Sequence, residues 1–155
     1  MKRTFHFIVF IALSIMSIMF LSCSKNDDVD LGSFDYPTSE LFGTWKASTI
    51  WVGSKYIVVS DYPKYKMSIT FNRDGSFSGS GYLGNGSGTY KVSGKTITTY
   101  VDGKVYATYY VTKYESGVAD FTITIGKESI RMYAYNVDYK GDDTGSVIAP
   151  VISAN

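Results

Sequence analysis

From Leu41 to Tyr135 apolar and polar residues alternate in short runs, and each run is bounded by glycine or a turn pair. Such alternation is the mark of strands with one buried face. Gly43-Thr44-Trp45-Lys46 opens the first strand, which continues through Ile50, Trp51 and Val52. A second run, Tyr56–Ser60, follows Gly53-Ser54, and Asp61-Tyr62-Pro63 then breaks the chain, because proline has no N–H to donate to a ladder. Lys66–Phe71 sets Met67, Ile69 and Phe71 on one face, with Ser68 and Thr70 on the other. Asn72-Arg73-Asp74-Gly75 has hairpin chemistry, since glycine accepts the positive φ such turns require. The pattern then repeats as Ser76–Tyr82, Gly88–Val92, Thr96–Val101, Lys104–Tyr114, Ala119–Ile125 and Ser129–Tyr135, with Gly-containing turns between. No stretch carries a helical period.

About nine strands in sequential hairpins predict an all-β, antiparallel up-and-down meander. A meander of this length closes into a barrel or folds into a sandwich, and closure removes the exposed edges. One face of the later strands carries Ile97, Thr99, Val101, Val105, Ala107, Tyr109, Val111, Phe121, Ile123, Ile125, Ile130, Met132 and Ala134. It is expected to point inward, because burying it is the main driving force available. The opposite face is rich in Tyr and Thr, with Tyr106, Tyr110 and Tyr133 among its members. It is expected outside, where a phenol keeps its hydroxyl wet. After the last strand, residues 138–155 read as a loop and an apolar stretch broken by Pro150, an extra edge strand or a docked terminus.

The beginning of the chain follows another pattern. Lys2 and Arg3 precede an apolar run from Phe5 to Leu21, then Ser22-Cys23 and the polar run Ser24-Lys25-Asn26-Asp27-Asp28. The run is about as long as the shortest membrane-spanning helices. Its position at the start, the small Ser22 and the cysteine at the boundary point instead to a cleaved secretory signal over residues 1–22. Residues 23–38 then read as a polar tether, and 39–137 as the folded domain. Removing residues 1–22 from 155 leaves 133, enough for one domain with a core. Losing Lys2 and Arg3 takes the formal charge from +1 to −1. A nearly neutral domain offers no footprint for nucleic acid. Cys23 is the one cysteine, so packing and strand pairing hold an exported domain without disulfides.

Leu21-Ser22-Cys23 resembles the lipobox of bacterial lipoproteins. The resemblance implies cleavage before Cys23, a lipid on its sulfur and anchorage to a membrane. Asp27, Asp28 and Asp30 loosely resemble the surface-export signal of lipoproteins from Bacteroidota. That implies an outer-membrane lipoprotein facing the periplasm or the cell surface.

Leu41-Phe42-Gly43-Thr44-Trp45-Lys46 is similar to the opening of the calycins, the superfamily of lipocalins and fatty-acid-binding proteins. Ile69-Thr70-Phe71-Asn72-Arg73-Asp74-Gly75-Ser76-Phe77 and Gly88-Thr89-Tyr90-Lys91-Val92 resemble the lipocalin-like domains of secreted Bacteroidota lipoproteins. The resemblance implies a barrel of about 8–9 strands, with Gly43 and Trp45 forming a plug at one end. In lipocalins a late arginine packs across that tryptophan, which implies a Trp45–Arg131 pair. In fatty-acid-binding proteins an Arg-x-Tyr holds the ligand carboxylate instead, and Arg131-Met132-Tyr133 matches that triplet. The packing role is favoured, since strand arginines mostly face outward or pack.

The mature chain has no histidine and no thiol once Cys23 is lipidated, which removes His-based triads and most zinc sites. Asp74, Asp102, Glu115 and Asp120 are read at or near turns, and no carboxylate pair is placed on one inner face. No metal or cofactor is expected. The expected function is a non-enzymatic, lipid-anchored protein binding a small apolar or amphipathic ligand, with Arg131, Tyr133, Tyr106 and Tyr110 as candidate contacts. The alternative is a filled barrel that contacts glycans or protein partners through its outer Tyr-rich face.

Overall fold

Hairpins joined in sequence leave two open edges unless the first and last strands meet, and here the sheet closes on itself. The computed structural model describes residues 29–141. The signal segment, Cys23, the start of the tether and the tail from Asp142 lie outside the described residues. The strands are β1 (Gly32–Phe34), β2 (Gly43–Val52), β3 (Lys55–Val58), β4 (Met67–Phe71), β5 (Ser76–Gly81), β6 (Gly86–Gly94), β7 (Thr96–Val101), β8 (Lys104–Glu115), β9 (Val118–Ile125) and β10 (Glu128–Asn136). A one-turn helix, α1 (Thr38–Leu41), precedes β2, and two 3-10 turns, Val59–Asp61 and Pro63–Tyr65, separate β3 from β4. Eight strands form the ring β2-β4-β5-β6-β7-β8-β9-β10, closed by antiparallel pairing of β10 with β2. This is the antiparallel barrel the alternation predicts. The turns after β4, β6 and β8 share one end, called the bottom, with both described chain ends. The turns after β2, β5, β7 and β9 form the top.

Side chains fill the interior, as a barrel of about 8 strands allows. Trp45 lies at the bottom with 0% of its surface exposed, and its indole Nε1 donates to the Leu41 carbonyl at 2.8 Å. Phe121 meets it edge-on at 5.5 Å between centroids, and Tyr114 lies 5.6 Å away. Gly43 enters the strand with φ +115°, and a Cβ there would sit 2.7 Å from Asn136 Oδ1 and 2.9 Å from Asp138 Cβ. Only glycine suits both the conformation and the space. Asn136 ties this end together by donating to the carbonyls of Glu40 at 3.2 Å and Phe42 at 2.8 Å.

Three bulges interrupt the alternation. Ser48, Tyr106 and Thr112 have no cross-strand partner where the register slips in β2–β10, β7–β8 and β8–β9. An unpaired residue reverses the face of everything beyond it. Val105, expected inside, is therefore 62% exposed, next to the bulged Tyr106. Beyond Thr112, Tyr114 turns toward Trp45. Ile97, Thr99, Ala107, Tyr109, Val111, Phe121, Ile123, Ile130, Met132 and Ala134 are buried as expected, while Val101 and Ile125 are half-buried.

The stretch read as a tether through residue 38 joins the fold from Leu31 onward. Leu31 is buried, and β1 pairs in parallel with β6, Gly32 opposite Val92 and Phe34 opposite Gly94. Parallel pairing needs no hairpin, so no local turn signal announces it. The second strand stops at Val58 rather than Ser60, where the first 3-10 turn begins. At the other end, the Thr44 N–H donates to Asp138 Oδ2 at 2.8 Å, so the start of the segment read as a tail is docked.

Trp45→Ala is expected to cost about 3–5 kcal/mol in a denaturant titration, the range for removing a buried large aromatic. A second outcome follows from Tyr90, which is 1% exposed and donates its hydroxyl to the Asn72 carbonyl at 2.8 Å. Burial, and then the Asp74 charge, push its pKa up to about 12. Tyr109 and Tyr114 are pushed in the same direction by burial. The unfolded chain ionises these phenols near the ordinary value of about 10. Their contribution is therefore complete below that value and is lost as pH rises toward the folded value. Denaturation midpoints between pH 8 and 12 should fall with pH, and less steeply in Tyr90→Phe.

Candidate functional site

The edge of β2 changes partner midway. Residues Gly43 to Lys46 pair with β4, and Thr49 to Val52 pair with β3, so Ala47 and Ser48 have no partner on that edge. The bulge at Ser48 and the turn-rich link through Pro63 carry β3 away from β4, leaving a notch in the upper barrel wall. Its volume is about 770 Å³, within the range of small-molecule sites. Ala47, Val58, Val59 and Met67 supply its apolar floor. Tyr56 and Tyr135 are aromatic members of the wall, and Ser48, Ser60, Ser68 and Ser80 add hydroxyls. Ser68 and Ser80 share a hydrogen bond at 3.0 Å across β4 and β5. Gly81 shapes the rim: its φ is +103°, and a Cβ there would lie 2.1 Å from the Lys66 carbonyl oxygen.

Charge in the notch has one sign. Lys46 and Lys66 line it, and no Asp or Glu is among its described lining residues. Lys46 faces Ser68 across the β2–β4 pair and Tyr135 across the β2–β10 pair.

Among the described residues, the gap toward the barrel interior is far smaller. The gap between Met67, Phe77, Leu83, Tyr109, Ile123 and Met132 measures about 20 Å³, enough for one water-sized molecule. The turn after β5 covers it. Tyr106, expected on the outer face, is bulged, stacks on Phe77 at 6.4 Å and 26°, and donates its hydroxyl to the Leu83 carbonyl at 2.8 Å. Tyr110 is exposed, and Tyr133 is half-buried on β10. The described structure thus does not gather Tyr106, Tyr110 and Tyr133 into one surface.

Arg131 lies outside the barrel, because Ile130 and Met132 take the inward positions beside it. It does not reach Trp45. Its guanidinium lies over Trp51, 4.8 Å from the ring centroid, and Trp51 meets Tyr56 edge-on at 5.3 Å. Asp120, read as lying near a turn, sits within β9 and is buried. Arg131 Nε donates to both its carboxylate oxygens, at 2.9 and 3.0 Å, and Nη2 also donates to Oδ2. These hydrogen bonds raise the Arg131 pKa above its ordinary value. With its fork committed to Asp120, the arginine is poorly placed to take a ligand carboxylate.

Lys46, Lys66, Tyr56 and the serines were not singled out by residue pattern. The one sequence signal for them is the proline-broken link between the second and third strands, longer than the hairpin turns elsewhere.

A family model described as a C-terminal lipocalin-like domain, GH43_C, matches residues 25–130. The match therefore spans β1 to β9 and ends just inside β10, the strand that closes the ring. No curated protein and no solved structure matches the chain.

Asp120→Asn keeps the shape and removes the charge opposite Arg131. Because the arginine side chain is 55% exposed, the loss in stability is expected to be about 1 kcal/mol or less. The Trp51 emission should shift as its guanidinium cover loosens, and urea titration followed by fluorescence reads both effects.

Proposed function

Because this chain belongs to the family of C-terminal lipocalin-like domains, we propose that it is a non-catalytic binding module, anchored to the outer membrane through Cys23, that holds a small amphipathic ligand in the wall notch. The observation that carries this reading is the contrast between the two spaces. The interior gap of about 20 Å³ accepts no ligand, whereas the notch of about 770 Å³ combines an apolar floor with hydroxyl and ammonium donors. Apolar surface with a few convergent polar groups is the usual composition of a small-molecule site.

Anchorage fits the layout of the barrel. The described chain begins at the bottom, and Leu31 is fixed beside Gly75. The eight residues from Cys23 to Asp30 are joined by seven Cα–Cα steps and span at most about 25 Å. A lipid on Cys23 therefore holds the bottom toward the membrane and turns the top, with its notch, away from it. The module faces the periplasm or the cell surface.

Two experiments test the reading. In cells supplied with an alkyne-tagged fatty acid, the native chain should be labelled and sediment with membranes, and Cys23→Ser should do neither. In membranes carrying the full chain, a diazirine-bearing alkyl glucoside should crosslink to peptides spanning Lys46–Thr49 and Tyr56–Ser68. Ser68→Trp, which fills the notch, should abolish that crosslinking. Labelling that maps to the barrel interior, or persists in Ser68→Trp, would overturn the site.

A further inference from the structure

We propose that the notch selects a sugar bearing a carboxylate, a uronate-type saccharide, over its neutral counterpart. The inference rests on the notch as the binding site and adds the class of ligand. A pyranose is amphipathic in the way this notch is. Its C–H face packs on aromatic and aliphatic side chains, and its hydroxyl rim needs hydrogen-bond partners. Tyr56, Tyr135, Val58 and Met67 provide the first kind of surface, and Ser68 and Ser80 belong to the second. Ser68 and Ser80 bond each other at 3.0 Å and keep spare hydrogen-bonding capacity that a hydroxyl rim can use and an apolar ligand cannot.

The carboxylate follows from the charges. Lys46 lies opposite Ser68, and Lys66, two residues before Ser68, lines the same notch. Two ammonium groups on one face repel each other, and no carboxylate lines the notch among the described residues. Arg131, also on the outer face, is already paired with Asp120. An anion between the two lysines relieves the repulsion and gains two charge-assisted hydrogen bonds. Among the described residues that line the notch, Lys46 and Lys66 are the cations that can supply this.

Calorimetric titration of the full chain in phosphatidylcholine vesicles tests the proposal, with a glucuronic acid trisaccharide against a glucose trisaccharide. The acidic sugar should bind about tenfold more tightly at low salt, and the preference should shrink in 500 mM NaCl. Lys46→Gln with Lys66→Gln should bring the two sugars level, with the denaturation midpoint unchanged. Equal binding of both sugars by the native chain overturns the proposal, as does binding of neither, or a preference that survives the double substitution. If the alkyl glucoside still crosslinks to the notch in those cases, the notch stands and only its charge selectivity fails. If crosslinking is also lost from the notch, the site itself is wrong.

Discussion

Closure of the ring is the constraint on which the rest of this structure depends. Once β10 returns to β2, the ring of eight antiparallel strands is closed but for the stretch of β2 at Ala47 and Ser48, and the inward side chains share one interior. That interior has a fixed width, and Trp45, Phe71, Phe77, Tyr90, Phe121 and Met132 occupy it. Filling it makes the barrel stable without disulfides and leaves, among the described residues, an interior gap of about 20 Å³.

Two strands of the ring are longer than their neighbours and change partner along one edge. On β6 the change is sealed. Just before β5 begins, the Tyr90 N–H donates to the Gly75 carbonyl at 2.8 Å and the Val92 N–H to the Leu31 carbonyl at 2.7 Å, so β1 continues the ladder without a break. On β2 the change from β4 to β3 leaves Ala47 and Ser48 without a partner on that edge, and the wall opens. The difference has a local cause: Ser48 is bulged and the link through Pro63 is too irregular to add a strand. The opening lies in the upper wall, whereas Trp45 and the docked N-terminal segment close the bottom.

Electrostatics divides the outer face in the same way. Asp120 is buried and requires a partner, which Arg131 provides while stacking on Trp51. Uncompensated burial of a carboxylate costs far more than an exposed pair gains, so this arginine is held in place. Lys46 and Lys66 have no such carboxylate among the described residues that line the notch.

Which segments are strands, where most of them turn, and the all-β class of the fold all follow from local residue patterns. Those properties depend on residues near one another in the chain: the alternation in Lys66–Phe71, the Asp-Gly turn at Gly75, the break at Pro63. The tertiary structure alone decided which side of the barrel several residues occupy. Alternation counts positions along one strand, but a bulge is defined only against the partner strand, so Tyr106 and Val105 were assigned to the wrong faces. Docking of β1 onto β6, the pairing of Arg131 with Asp120 rather than with Trp45, and the notch beside Ser48 all join residues far apart in sequence. Which distant groups meet is fixed by strand register and ring closure, and neither is written in any single segment.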